Sequence, residues 1–74
     1  MAPAVFLDTG PLGMVSHPRS SAENDACKAW LRSLVAGGRR VRVPEIADYE
    51  LRRELLRANK TVGIARLETV KRAL

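Results

Sequence analysis

The segment Ala4-Val5-Phe6-Leu7-Asp8-Thr9-Gly10-Pro11 decides how this chain folds: four apolar residues run straight into an acid, and a turn follows at once. Val, Phe and the Thr-Gly-Pro cluster behind them predict a strand. An unbroken apolar run further predicts a strand buried on both faces, as in a parallel sheet. The carboxylate at its end has two readings. Asp8 can start a local Asx turn with Thr9 and Gly10. Alternatively it can gather a metal or act on a substrate, since strand ends of α/β sheets form the rim where ligands bind.

Working outward, residues 11–15 read as a helical turn or a short helix, weakened by Gly10 and Gly13. Residues 17–21 read as a loop. Ser20 and Glu23 fit a capping box, with Ser at N-cap and Glu at N3. Ala26, Cys27, Trp30, Leu31, Leu34 and Val35 then form one apolar helical stripe, closed by Gly37-Gly38. Residues 39–43, Arg-Arg-Val-Arg-Val, alternate with the period of a strand. Pro44 suits the first position of the next helix. Glu45 and Asp48 favour that helix's N-terminus, and Arg52, Arg53 and Arg57 its C-terminus. Its apolar stripe is Ala47, Leu51, Leu55 and Ala58. Asn59 or Lys60 breaks it, Thr61 can cap a last helix, and Ile64, Leu67, Val70 or Lys71, and Leu74 fall roughly on one face.

The expected fold class is α/β: two parallel strands and about four helices, in the order β-α-α-β-α-α. The crossover is long enough for a right-handed βαβ unit. The 74 residues allow one domain. Two strands are a poor sheet by themselves, and the last helix runs to Leu74 without a capping glycine. The expectation is a single truncated domain over 1–74, the front part of a larger α/β domain. An incomplete core predicts a homo-oligomer as the route to burying apolar faces.

Charge and cysteine usage narrow the class. The net charge is +5, from 13 basic and 8 acidic residues. Ten of the basic residues are Arg, which binds phosphate through bidentate bonds and stacks on bases. That balance permits a nucleic-acid partner as readily as a solvated surface. The single cysteine, Cys27, excludes an internal disulfide and a CxxC zinc site. A reducing, cytoplasmic setting is expected, with no export leader and no membrane-spanning segment.

The candidate chemistry starts from Asp8 and asks which acid joins it. The second strand feeds a helix bearing Glu45, Asp48, Glu50 and Glu54. Glu50 borders the apolar side, three residues after Ala47 and four after Ile46. Asp48 is turned away from Glu50 by roughly 200° over two helical steps. Glu54 is one turn further from the rim, and Glu45 has a ready role with the helix dipole. Glu50 is therefore the expected partner of Asp8. Two carboxylates held together repel unless a cation or proton sits between them; Mg²⁺ suits such a site and supports water attack on a phosphodiester. The competing reading pairs Glu50 with Arg53 or Arg57. Other motifs are excluded. Asp-Thr-Gly also marks aspartic proteases, which are rich in β-structure, whereas this chain is helix-patterned. No GxxxxGK[ST] loop is present.

These segments carry a family resemblance. Val5-Phe6-Leu7-Asp8-Thr9-Gly10-Pro11-Leu12 resembles the opening strand and turn of PIN domains, the ribonuclease fold of VapC-type toxins. Residues 41–55, with Glu50-Leu51-Arg52-Arg53, resemble that family's second strand and following helix. The resemblance implies an endoribonuclease that holds Mg²⁺ or Mn²⁺ with clustered acids. Asp8 matches the first family acid, Glu50 the second, and Thr9 a small polar position that supports the first. It also implies RNA as substrate and a cognate antitoxin as partner. The family's domain continues for roughly as many residues again and adds further acids, so weak metal binding and little or no activity are expected of this chain alone. A second hypothesis is a non-catalytic RNA-binding or oligomerising module derived from the same fold.

Four further features complete the reading. His17 is expected in an exposed structural role. Cys27 is expected in the core, and Trp30 in the core or an interface. Tyr49 is expected to pack. Arg39, Arg40 and Arg42 form the densest basic stretch, suited either to RNA phosphates or to keeping an edge strand from pairing with other chains.

Overall fold

The short strand β1 (Val5–Phe6) pairs in parallel with β2 (Val41–Arg42) in the computed structural model, which describes residues 4–74. Val5 lies opposite Val41 and Phe6 opposite Arg42. The ladder is extended by Val5 N–H donating to the Arg40 carbonyl at 2.8 Å and Leu7 N–H to that of Arg42 at 2.9 Å. Four helices complete the molecule: α1 (Thr9–Ser16), α2 (Ala22–Ala36), α3 (Glu45–Arg57) and α4 (Thr61–Ala73). The order is β-α-α-β-α-α, a mixed α/β fold. Among the described residues no helix is long and apolar enough to cross a membrane. Residues 1–3, where the reading against an export leader begins, lie outside the described residues.

Alternation along the strands sorts their side chains. Leu7 and Val41 are buried, and Val5 and Val43 pack against them. Phe6 is 64% exposed, and Arg42 is exposed beside it. The expectation of a strand buried on both faces is therefore corrected: one face of the sheet is covered, and the other meets solvent. The apolar run itself does not distinguish these cases, because Phe6 fits either.

α1 is the hub of the packing. It contacts α2, α3 and α4, so its Leu12 and Val15 share a core with Leu7, Val41, Ala47 and Leu67. Gly13 faces α3: a β-carbon there would meet the Leu51 side chain at 3.6 Å, an ordinary van der Waals contact. Despite the two glycines that weaken α1 as an isolated helix, a complete eight-residue helix forms. Full burial of Leu7, Leu12 and Leu67 stabilises the fold by about 1.5–3 kcal/mol each.

Helix ends follow sequence chemistry, with three shifts. Ser21, not Ser20, is the N-cap of α2; its hydroxyl accepts from Asn24 N–H at 3.0 Å, which removes Glu23 from the N3 position. Ser20 donates instead to Asp25 at 2.6 Å. Pro44 is the N-cap of α3 rather than its first helical residue. Thr61 opens α4 behind Lys60, and no side chain caps that end. At the other end of α2, Gly38 takes φ +77°. There Arg39 N–H reaches the Leu34 carbonyl at 2.9 Å, closing a Schellman turn. Asn59, at φ 55°, ends α3 in the same way, with Lys60 N–H on the Leu55 carbonyl at 2.8 Å.

α2 and α3 are less covered than their stripes predict. Cys27, Leu31 and Leu34 pack on the core, whereas Ala26, Trp30 and Val35 are exposed. Ala58 and Tyr49 are also exposed, which corrects the expectation that they pack. The reason is geometric: α2 rests on α1 alone among the helices in close packing, so only a narrow strip is covered.

Candidate functional site

The end of β1 delivers Asp8 to the N-terminus of α1. Its carboxylate caps that helix, accepting from Thr9 N–H at 2.9 Å. On the next residue, the Thr9 hydroxyl donates to Glu50 Oε1 at 3.5 Å. Thr9, at the C-terminal edge of the parallel strands, thus stands between Asp8, its chain neighbour, and Glu50, which is far away in sequence. Sequence reasoning selected these three residues; the fold sets Thr9 and Glu50 on one cleft, which Asp8 does not line. Packing explains the Thr9–Glu50 approach: α1 and α3 contact each other, with Leu51 of α3 beside Gly13 of α1, so the preceding residue on α3, Glu50, sits near the N-terminal end of α1.

Asp8 and Glu50 are both exposed, and neither forms an ion pair among the described residues. The alternative pairing of Glu50 with Arg53 or Arg57 is therefore not formed. Both arginines instead line an open cleft of about 510 Å³ with Thr9, Glu50, Leu51 and Glu54. Sequence reasoning set Glu54 aside as too far from the rim and gave the arginines only a charge-pairing role. Helical spacing could have found all three: Arg53, Glu54 and Arg57 stand three, four and seven residues beyond Glu50, on one face. The cleft holds carboxylates and guanidinium groups together.

Other acids are committed elsewhere. Asp48 accepts two bonds from Arg52, at 2.9 and 3.2 Å, and pairs with Lys71 of α4 at 2.5 Å. Arg52 also bonds Glu68. Hydrogen bonding from Arg52, aided by Lys71 and opposed by partial burial, holds the Asp48 carboxyl below the usual aspartate range. Arg52 likewise lowers Glu68, and its own guanidinium is held more firmly protonated by Asp48 and Glu68. These groups clamp α3 to α4 and face away from Glu50, as the helical wheel requires.

The remaining candidates lie apart from the acids. Arg39 and Arg40 precede β2 and so stand at the opposite edge of the sheet from Asp8. The register places Asp8 four residues beyond the level of Arg40, about 13 Å along the strands. Arg42, in register with Phe6, is exposed. His17 serves local structure: its Nδ1 accepts from Arg19 N–H at 3.1 Å. Cys27 is half-buried, its thiol 3.7 Å from the Pro11 carbonyl.

Could Asp8 and Glu50 hold a divalent cation? The donors are hard oxygens, which suit Mg²⁺ and Mn²⁺. Mg²⁺ is commonly bound by one or two carboxylates while keeping several waters. Asp8 and Glu50 are donors of that type, and the Thr9 hydroxyl lies 3.5 Å from Glu50 Oε1. No set of three or more His, Cys, Asp or Glu side chains converges among the described residues. No protein-family model matches the chain, and no significant match to it was found among curated proteins or solved structures.

Proposed function

We propose that this chain carries the metal-binding edge of a PIN-type, VapC-like endoribonuclease, with Asp8 and Glu50 as cation ligands. The observation that carries the reading is the Thr9 link between these two acids at the strand ends. Asp8 and Glu50 would hold a divalent cation, and the chemistry it would supply there is activation of water for attack on an RNA phosphodiester. Asp8 and Glu50 provide the anionic ligands, and Thr9 restrains Glu50. Arg53 and Arg57, on the same cleft, neutralise phosphate charge along the strand and steer RNA to the acids. Two carboxylates alone offset little of the ion's dehydration, so cation binding is weak and cleavage by this chain is slight.

The setting follows from the same reading. A lone unpaired cysteine fits the reducing cytoplasm. A cognate antitoxin would restrain the nuclease. Self-association would cover the open face around Phe6, which is 64% exposed; that face also supports the alternative of a non-catalytic module that assembles or holds RNA.

RNA cleavage with Mg²⁺ or Mn²⁺, beside a chelator control and Asp8→Asn, tests the proposal. Slow cleavage that needs the cation and disappears in Asp8→Asn is expected. Cleavage that survives chelation, or that Asp8→Asn leaves intact, contradicts it. A folded protein that binds RNA without cleaving it favours the non-catalytic module.

A further inference from the structure

Where the end of α1 meets the turn between α3 and α4, the chain frames a cavity of about 430 Å³. Its walls come from residues between Gly10 and Gly63: α1, the loop after it, the start of α2, later turns of α3 and the first turn of α4. The cavity exists because α1, α3 and α4 all contact one another, and three helices leave a hollow where they converge. Gly63 sets one corner. It is buried, and a β-carbon there would stand 2.9 Å from Leu55 Cδ2, so glycine brings the first turn of α4 directly onto that side chain. The volume falls within the range of small-molecule sites, roughly 300–1,000 Å³.

The lining divides by chemistry. Met14, Leu51, Leu55 and Val62 form an aliphatic floor. Arg19, just beyond the end of α1, and Lys60, just beyond the last turn of α3, add positive charge. No Asp or Glu among the described residues lines the cavity, and neither cation is ion-paired among them. The backbone carrying Arg19 is held on both sides. Its N–H donates to His17 Nδ1 at 3.1 Å, and its carbonyl accepts from Asn24 Nδ2 at 3.1 Å. Lys28 ties the same loop to α2 by donating to the His17 carbonyl at 2.9 Å. The loop is thus fixed while the Arg19 charge stays uncommitted.

Charge and floor together select the occupant. The cations favour an anion, and the aliphatic side chains favour a hydrocarbon body through release of water. No Phe, Tyr or Trp lines the cavity, so a nucleobase would find no stacking partner. We propose that this cavity binds a small aliphatic carboxylate, with its hydrocarbon body on Met14, Leu51, Leu55 and Val62 and its charge at Arg19 and Lys60. Asp8 and Glu50 do not line the cavity, so the inference is independent of the metal-site reading.

The test titrates octanoate into the whole chain and follows amide-resolved NMR. Octan-1-ol supplies the body without the charge, and acetate and inorganic phosphate supply charge without the body. Saturable shifts are expected at Gly13, Leu55 and Gly63 with octanoate, at concentrations where the other three leave these amides unmoved. Affinity should fall with salt and drop about tenfold when Arg19→Gln and Lys60→Gln are combined. Val62→Glu should abolish binding by placing a carboxylate at the same cations. Arg19, Lys60 and Val62 are exposed, so both variants should keep the wild-type circular dichroism spectrum. An acid in the first turn of α4 also suits the helix dipole. Absence of a saturable octanoate response at these amides overturns the proposal. So does a response indifferent to the combined Arg19 and Lys60 substitutions. Octan-1-ol binding as tightly as octanoate reduces the site to an apolar hollow, and acetate or phosphate binding as tightly reduces it to a bare anion site; either result overturns the assignment.

Discussion

At the residue scale, Asp8 has two separable roles, as helix cap and as charge. Its carboxylate accepts from Thr9 N–H, and Asn caps helices about as well as Asp. Asp8→Asn should therefore change stability by less than ~0.5 kcal/mol while weakening cation binding, whereas Asp8→Ala should cost about 1 kcal/mol as well. Denaturant titration of both variants beside a Mn²⁺ titration checks this; a large loss of stability in Asp8→Asn contradicts the cap geometry. Thr9→Val removes the hydroxyl that holds Glu50 and should lower Mn²⁺ affinity about tenfold. Gly38 shows a purely conformational constraint. At φ +77° a β-carbon is strained, so Gly38→Ala should destabilise by about 1 kcal/mol, read as a lower denaturation midpoint at unchanged slope.

At the element scale, the α3–α4 pair carries the pH dependence. The Asp48 carboxyl is held below its ordinary range, chiefly by Arg52. A group whose pKa is lower in the folded state adds stability above its unfolded pKa and loses it as pH falls through the folded value. The clamp should therefore be fully present at neutral pH and weaken below about pH 4. Asp48→Asn should flatten the acid limb of the stability profile and cost about 1–2 kcal/mol at pH 7. An acid limb unchanged in that variant would sink the assignment. The same elements show what the sequence made legible. Gly37-Gly38 and Asn59 marked their helix ends because positive φ has few residues to choose from. The two-step rotation from Asp48 to Glu50 put these acids on different sides of α3, though the Arg52 and Lys71 partners of Asp48 were not legible. The wheel was equally able to place Arg53 and Arg57 beside Glu50, but charge pairing was the simpler role for them. Capping at Ser21 rather than Ser20 was a one-residue ambiguity that two adjacent serines cannot resolve.

At the scale of the whole molecule, pattern predicted the element order and the parallel pairing but overstated coverage. Trp30, Val35, Tyr49 and Phe6 are apolar or aromatic at positions a covered fold would bury, yet all are exposed. Residue type reports a capacity to be buried; which faces find a partner depends on how α1 distributes its contacts among α2, α3 and α4. The shared core is correspondingly small. Leu67 is fully buried within it, and Leu67→Ala should cost about 2–5 kcal/mol. For a domain of this size that is a large share of the total stability, so thermal melts should show the variant mostly unfolded at 37 °C. A melt like that of the wild type would mean α4 is not integral to the core.

The central claim is that Asp8 and Glu50 form one cation site through Thr9. Mn²⁺ titration followed by amide-resolved NMR tests it most directly, because paramagnetic broadening reports proximity whether or not RNA is cleaved. Broadening should begin at residues 8–10 and around Glu50, at Mn²⁺ concentrations that leave α2 and α4 sharp. It should vanish in both Asp8→Asn and Glu50→Gln, with the rest of each spectrum retained. Broadening centred on Asp48 and Glu68, or diffuse broadening indifferent to both substitutions, would contradict the account.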